Sequence, residues 1–434
     1  MTEHFSLHRY LKAIEVAEPI NRWGKVTRVV GTIIESQGPL ARLGELCVIG
    51  ENELAAEVIG FRSQQLLLSP LGDISGIAPG AIVKATGKRL TVGVGPKLLG
   101  RILDGLGRPL DDKGPIPQEG EYLLENPPPH PLRRRRIQEV LSLGIKAIDG
   151  LLTCGKGQRL GIFAGSGVGK STLLGMMAQH TTADVIVIAL IGERGREVRE
   201  FLEKVLGEKG LAKSIVVVAT AEQPPLCRVK GALLATAIAE YFRDQSQDVL
   251  LVMDSLTRFA MAQRELGLAA GEPPASKGYT PSVFTLLARL LERSGAAEKG
   301  TITGMYTVLM EGDDPNDPIA DAVRSILDGH IFLSRRLAQS NQYPAIDILA
   351  SISRLQVDLL QTEELQLAKR VRAALACYRE NEDLINIGAY VPGSNQKIDE
   401  AINLFPHIQE FLRQDIAEEV PFELTMQKLR AIFS

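Results

Sequence analysis

The sequence predicts an α/β protein in three parts: a small N-terminal β-barrel, a central domain built on a parallel sheet, and a C-terminal α-helical domain. Three observations predict it. From Trp23 to Pro79, short β-branched segments (GKVTRVVGTIIES, GELCVIG, LAAEVIGF) are broken by Gly and Pro about every 8–12 residues, as in a barrel or sandwich. Beyond Ile137, the apolar runs LGIFA, VIVIALI, SIVVVAT, VLLVMD, ITGMYTVL and HIFLS alternate with amphipathic stretches, the pattern of strands covered on both faces. After Leu355 the runs stop, and Leu360, Leu367, Val371, Leu375 and Tyr378 recur at helical spacing. These textures divide the chain into residues 1–18, 19–80, 81–355 and 356–434.

Taken in order, residues 1–18 form a short amphipathic helix with Leu7, Leu11 and Ile14 on one face, stopped by Pro19. It reads either as a frayed terminus or as a helix that docks a partner. The segments LLGRILDGLGRPLDDKGPI and NPPPHPLRRRRI read as a loop-rich, exposed connection, because proline denies them helix. Arg133 to Arg136 lie there without interleaved aromatics, so a solvated hinge or local salt bridges explain them better than nucleic acid does.

Composition narrows the function classes. The 434 residues carry 49 Lys and Arg against 52 Asp and Glu, a net charge of −3, which disfavours a nucleic-acid coat or a polybasic membrane anchor. No apolar run approaches the roughly 18 residues of a membrane helix; the longest, Val185 to Ile191, suits a strand. The start, MTEHFSLHRYLKAIEVAEP, lacks the basic and apolar regions of a signal peptide. Cys47, Cys154, Cys227 and Cys377 form no CxxC pair, so buried thiols in a reducing cytosol are expected. The histidines form no HExxH motif, and in EGDDPNDP, residues 311–318, Pro315 stands where a calcium loop needs a ligand.

The chemistry sits in LGIFAGSGVGKSTLLGMM, residues 160–177. A strand enters a turn in which Gly165, Gly167 and Gly169 let successive backbone N–H groups face one anion. The following helix adds its dipole, Lys170 reaches terminal phosphates, and the Ser171 hydroxyl can ligate magnesium. The GxxxxGK[ST] pattern has one departure, Ala164 at its first glycine. VLLVMD ends in Asp254, which a parallel sheet sets at its carboxyl edge as a magnesium carboxylate. VIVIALIGERGREV ends another strand at Glu193 and Arg194: a carboxylate to orient or deprotonate water, and a cation for charge on the γ-phosphate.

From about Leu99 to Arg354 the chain closely resembles the flagellar and type III secretion ATPases, relatives of the rotary ATP synthase catalytic subunit. The runs that carry the resemblance include LLGRILDGLGRPLD, GIKAIDGLLTCGKGQRLGIFAGSGVGKS, IGERGREVREF, MDSLTRFAMAQRELGLAAGEPPASKGYTPSVF, EGDDPNDPIADAVRSILDGHIFLSR and YPAIDILASISR. GEPPASKGYTPSVF, residues 271–284, is the most discriminating, because the secretion branch has it and the rotary catalytic subunits and RNA-translocating rings do not. Ala288 stands where the family usually has Pro.

The resemblance implies a RecA-like P-loop domain and roles for individual residues. Gly165, Ser166, Gly167, Val168, Gly169, Lys170, Ser171 and Thr172 match the ATP phosphate loop, Ser171 and Asp254 the Mg2+ ligands, and Glu193 the catalytic carboxylate. Arg194 and Arg258 match the γ-phosphate contacts, Tyr343 the aromatic stacked on adenine, and Arg354 an arginine finger given to a neighbouring subunit. It implies a homo-hexamer that hydrolyses ATP to energise protein export, at the cytoplasmic face of the inner membrane. It also implies a regulatory or stator dimer at the N-terminal helix, a central stalk protein, an export gate, export substrates with their chaperones, and no nucleic acid. Two rivals share parts of this pattern. An RNA-translocating ATPase ring predicts RNA-stimulated hydrolysis, and a non-catalytic nucleotide-binding subunit lacks a counterpart of Glu193.

Overall fold

The computed structural model describes residues 23–310 and 317–434. The N-terminal helix expected over residues 1–18, and residues 311–316 of the acidic EGDDPNDP segment, lie outside the described residues.

Six strands, β1 (Trp23–Val30), β2 (Ile33–Gln37), β3 (Glu45–Ile49), β4 (Leu54–Arg62), β5 (Gln65–Pro70) and β6 (Ile82–Arg89), close in the order β1-β2-β5-β4-β3-β6. Alternation places Val26, Ile34, Cys47, Ile49, Val58, Leu68 and Val83 inside. Closure decides one glycine: a Cβ on Gly24 would overlap the Gly38 carbonyl. The barrel boundary expected at residue 80 moves to Leu90, because β6 pairs with both β1 and β3 and closure fails without it.

Thr91–Leu268 and Glu272–Ser434 form a second compact unit. Its strands are β7 (Thr91–Val94), β8 (Ile102–Asp104), β9 (Gly120–Leu123), β10 (Arg159–Ala164), β11 (Val185–Ile191), β12 (Ser214–Ala219), β13 (Asp248–Asp254), β14 (Gly295–Ala296), β15 (Thr301–Leu309), β16 (Gly329–Leu333) and β17 (Ile346–Ser353). The main sheet runs β17-β16-β10-β15-β13-β11-β12-β8, with β14 beside β15 and β7 paired with β9 apart from it. Every residue of β11 and β12 is buried, which is why these strands read as unbroken apolar runs. All strands of the path are parallel except β17, which runs antiparallel to β16.

The connection over residues 98–136 departs from the exposed linker expected of it. Its ILD becomes edge strand β8 on β12, and Arg101 is buried in a two-pronged pair with Asp111, Nε to Oδ2 at 2.7 Å and Nη2 to Oδ1 at 2.9 Å. The arginine run makes the local bonds expected of it. Arg134 Nη1 donates to Ser294 O at 2.8 Å, Arg135 Nε to Ala297 O at 3.2 Å, and Arg133 pairs with Glu298 at 3.5 Å.

Helices Thr362–Asn386, Gln396–Leu412 and Phe422–Ala431 follow. Gln361 and Glu364 build a capping box at the start of the first. They lie in the same compact unit as the sheet, because Val371, Ile408, Phe411, Leu412, Met426 and Leu429 share one apolar core with Ile145, Ile148 and Leu151. Cys47, Cys154 and Cys227 are buried and Cys377 is half-buried, all unpaired. No helix among the described residues is long and apolar enough to cross a membrane.

Arg101 holds the Asp111 carboxyl well below the usual carboxylate range. A depressed pKa contributes stability above the unfolded value and loses it as pH falls toward the folded one. Asp111→Asn should therefore lower the unfolding midpoint at pH 7, and its gap from the parent should narrow below about pH 4, measured by thermal melts across pH.

Candidate active site

A parallel sheet points its strand ends, and the helix starts that follow them, toward one edge. Here β10 delivers the phosphate loop, β11 delivers Gly192 and Glu193, and β13 delivers Asp254. β15 lies between β10 and β13.

Two loop glycines have positive φ, 78° at Gly167 and 88° at Gly169. Gly169 is left-handed and is the N-cap of helix Lys170–His180, so the turn needs residues without the Cβ penalty. Val168 is buried and anchors the loop from below, while Ser166, Gly167 and Ser171 are exposed and Thr172 is half-buried.

Lys170 Nζ touches Asp254 Oδ1 and lies 3.8 Å from Glu193 Oε1. Asp254 is buried, and its Oδ1 also accepts from Thr307 Oγ1 at 2.6 Å. The Glu193 carboxyl is pushed up to about 7, first by burial and then by the Asp254 charge, with Lys170 acting the other way. That places a base near neutral pH, where proton transfer to it is useful. A cavity of about 260 Å³ opens at this edge between Ser171, Thr172, Glu193, Glu197 and Asp254.

Arg258 lies on the first turn of the helix after Asp254, against Gly192. A Cβ on Gly192 would come within 2.6 Å of Arg258 Cβ, and Gly192 has φ 71°. Arg258 Nε is buried without a hydrogen-bond partner among the described residues. An unsatisfied buried cation donor at this edge fits an anionic ligand. The hydroxyl of Ser171 with the carboxylate of Asp254 is a hard-oxygen donor set that fits magnesium, which keeps waters and phosphate oxygens as its other ligands. Accordingly, no protein-only metal cluster occurs among the described residues.

Tyr343 also reaches the loop. β17 begins at Ile346 opposite Leu333, and Leu333 pairs with Ala164 at the end of β10. The Tyr343 ring is close enough that a Cβ on Gly169 would sit 3.4 Å from its Cε1, and the residue is 43% exposed, with room for a base against it.

Two expected residues do not join this cluster: Arg194 lies at the same edge with its side chain in solvent, and Arg354 lies at the opposite edge. Arg194 is exposed and pairs with Glu197 at 3.4 Å. Arg354 follows Ser353, which pairs with Gly329 at the amino end of the sheet, and its Nη2 donates to Arg324 O at 3.2 Å. It thus sits a full strand length, roughly 20 Å, from the phosphate loop. Thr307 is the residue that sequence reasoning missed. On the fully apolar-reading TITGMYTVL its hydroxyl had no visible task, and only the order β10-β15-β13 sets it against Asp254.

Comparison with known proteins bears on the whole chain. Residues 144–353 match the nucleotide-binding domain of the ATP synthase alpha/beta family, residues 26–87 its beta-barrel domain, and residues 360–431 the type III secretion EscN ATPase C-terminal domain. The flagellum-specific ATP synthase of Bacillus subtilis is 54% identical over 427 residues, 97% of this chain and 98% of that protein. The type 3 secretion system ATPase of Xanthomonas euvesicatoria is 49% identical over 431 residues, covering 98% and 97% of the two. Among solved structures, the assembled ATPase EscN of the enteropathogenic E. coli type III secretion system superimposes with a TM-score of 0.91 at 48% identity. It covers 95% of this chain and all of that one. The same ATPase in complex with its central stalk EscO gives 0.89 at 47%, with the same coverage.

Thr307→Val should keep the fold but leave Asp254 without its hydroxyl donor. Turnover should drop about 10–100-fold, as when an outer-shell partner of a metal ligand is lost, with the magnesium concentration for half-maximal rate rising. An unchanged magnesium dependence in steady-state assays would assign Thr307 to packing alone.

Proposed function

The chain belongs to the ATP synthase alpha/beta family, in its branch of flagellar and type III secretion ATPases, and from that premise we propose how its residues hydrolyse ATP to energise protein export. The convergence of Lys170, Glu193 and Asp254 on one sheet edge carries the reading. The named relatives lend no support to an RNA-translocating ring or a non-catalytic subunit.

Loop N–H groups from Gly165 to Thr172 cradle the phosphates of ATP, and Lys170 moves from Asp254 onto the β- and γ-phosphate oxygens. Tyr343 stacks on the adenine. Ser171 and Asp254 hold Mg2+, which when bound neutralises charge on those oxygens. Glu193 orients the attacking water and takes its proton as the new oxygen–phosphorus bond forms and the β–γ bridge breaks, leaving ADP and phosphate. Half-buried Arg258 offers its unpartnered Nε–H to the γ-phosphate.

Arg354 completes the site in a neighbouring subunit. Its place at the amino edge of the sheet puts it out of reach of its own phosphate loop, so a ring of identical chains, a homo-hexamer, makes use of it. Arg194, exposed in the single chain, serves the γ-phosphate once that interface closes. Partners follow from the same reading: a central stalk in the ring, a regulatory dimer on residues 1–18, and an export gate that keeps the ring at the cytoplasmic face of the inner membrane. Export substrates arrive there with their chaperones, and no nucleic acid takes part.

Lys170→Ala should abolish turnover, because charge on the phosphates is left uncompensated. Glu193→Gln should still bind ATP with magnesium yet turn over negligibly; parallel loss of affinity would make Glu193 a binding residue instead. Arg354→Ala should lose about three to five orders of magnitude in rate together with the rise of specific activity with protein concentration. Mixing Arg354→Ala with Glu193→Gln subunits should restore part of the rate, since some interfaces then hold both groups. Mixed rings that form without any recovery would refute the shared site.

A further inference from the structure

Residues 413–420 link the last two helices and pass behind the Tyr343 loop. Gln414 is the centre of this link. It is buried, and its backbone N–H donates to the Tyr343 carbonyl at 3.0 Å. Its side-chain amide is almost fully used. Nε2 donates to Gly144 O at 2.7 Å and to Glu418 O at 2.9 Å, and Oε1 accepts from Lys146 N at 2.8 Å. Turning the amide over would face donor to donor and oxygen to oxygen, so the partners fix its orientation.

Each of these partners is itself held. Lys146 is the first residue of helix Lys146–Leu151, whose N-cap Ile145 has no capping side chain, so Gln414 supplies the acceptor that helix start lacks. Gly144 belongs to a turn pinned by the buried Asp149 carboxylate, which accepts from Leu143 N at 3.0 Å, Gly144 N at 3.1 Å and Ser142 Oγ at 2.7 Å. Glu418 pairs with Lys428 at 2.9 Å. A residue tied to three rigid points thus holds the main chain of the ring that lies beside Gly169.

We propose that Gln414 is a positioning residue for the nucleobase: it fixes the Tyr343 main chain relative to the phosphate loop and so sets affinity for ATP through the base, not through the phosphates. The inference rests on Tyr343 as the base-stacking residue. Gln414 touches no reacting atom. Its loss lets the Tyr343 loop drift while Lys170, Glu193 and Asp254, delivered by β10, β11 and β13, stay in place.

The test compares ATP with inorganic tripolyphosphate, which has the phosphates but no base, as magnesium complexes titrated into the full chain. Gln414→Glu keeps the acceptor for Lys146 N–H and loses both donors, so it reads the effect even where Gln414→Ala does not fold. Gln414→Glu should bind ATP about tenfold more weakly, within the range of two lost neutral hydrogen bonds, and tripolyphosphate within about twofold of the parent. KM for ATP should rise with little change in kcat, the mark of lost uniform binding. Equal weakening of both ligands would make Gln414 a general structural residue and overturn the proposal. So would an unchanged ATP affinity in a background where Tyr343→Ala selectively weakens ATP. If Tyr343→Ala weakens neither ligand selectively, the base-stacking reading falls and the proposal falls with it.

Discussion

One ammonium among carboxylates governs this site. Asp254 and Glu193 are both largely withdrawn from water and lie on neighbouring strand ends, where two like charges without a cation between them would repel each other. Lys170 supplies that cation, and Thr307 supplies a hydroxyl to the more buried of the two acids. The same ammonium is the group that ATP phosphates attract. On the proposed reading, nucleotide binding exchanges the anionic partners of Lys170 and leaves the acids for a metal and a water.

The sheet separates two tasks at its two edges. The carboxyl edge collects the phosphate loop, the acids, Arg258 and Tyr343. The amino edge collects the cations of the arginine run with Arg159, whose guanidinium bridges Glu292 at 2.6 Å and Asp328 at 3.1 Å. Deep beside them, Arg293 and Glu240 form a pair in which each side chain is 2% exposed, a charge pair that must stay complete to be tolerated. Because β17 turns back antiparallel, the YPAIDILASISR segment spans both edges. Its Tyr343 end lies beside the chain's own phosphate loop, and its Arg354 end faces away from it.

The helical C-terminal segment contacts both the Tyr343 loop and the phosphate-loop helix. Phe411 packs beneath helix Lys146–Leu151, where a Cβ on Gly150 would approach its ring to 2.9 Å. The link after it bonds to Tyr343 and to His180 at the far end of the phosphate-loop helix, with the His180 ring 3.3 Å from Ile416 O. A displacement of these helices reaches the base loop and the phosphate-loop helix together. If Tyr343 stacks on the base as proposed, this gives the helical part a hold on nucleotide affinity without placing a side chain on the phosphates.

The sequence by itself determined the elements whose cause is local. Short continuous apolar runs alternating with amphipathic stretches read as strands covered on both faces, and AGSGVGKS reads as a glycine turn opening a helix. A carboxylate ending such a run lies at the carboxyl edge of a parallel sheet, which is why the placement of Lys170, Ser171, Glu193 and Asp254 at one edge was legible. The tertiary structure alone decided what depends on neighbours distant in the chain. β6 belongs to the barrel because closure needs a partner for β1 and β3, and ILD becomes β8 because β12 leaves an edge to pair. Thr307 acquires a task only from strand order, and Gln414 only because the last helices fold back on Gly144 and Lys146. Hydrogen bonds between residues separated by 53 or 270 positions leave no periodicity to read, since one polar side chain looks the same in sequence whether it faces solvent or a buried carboxylate.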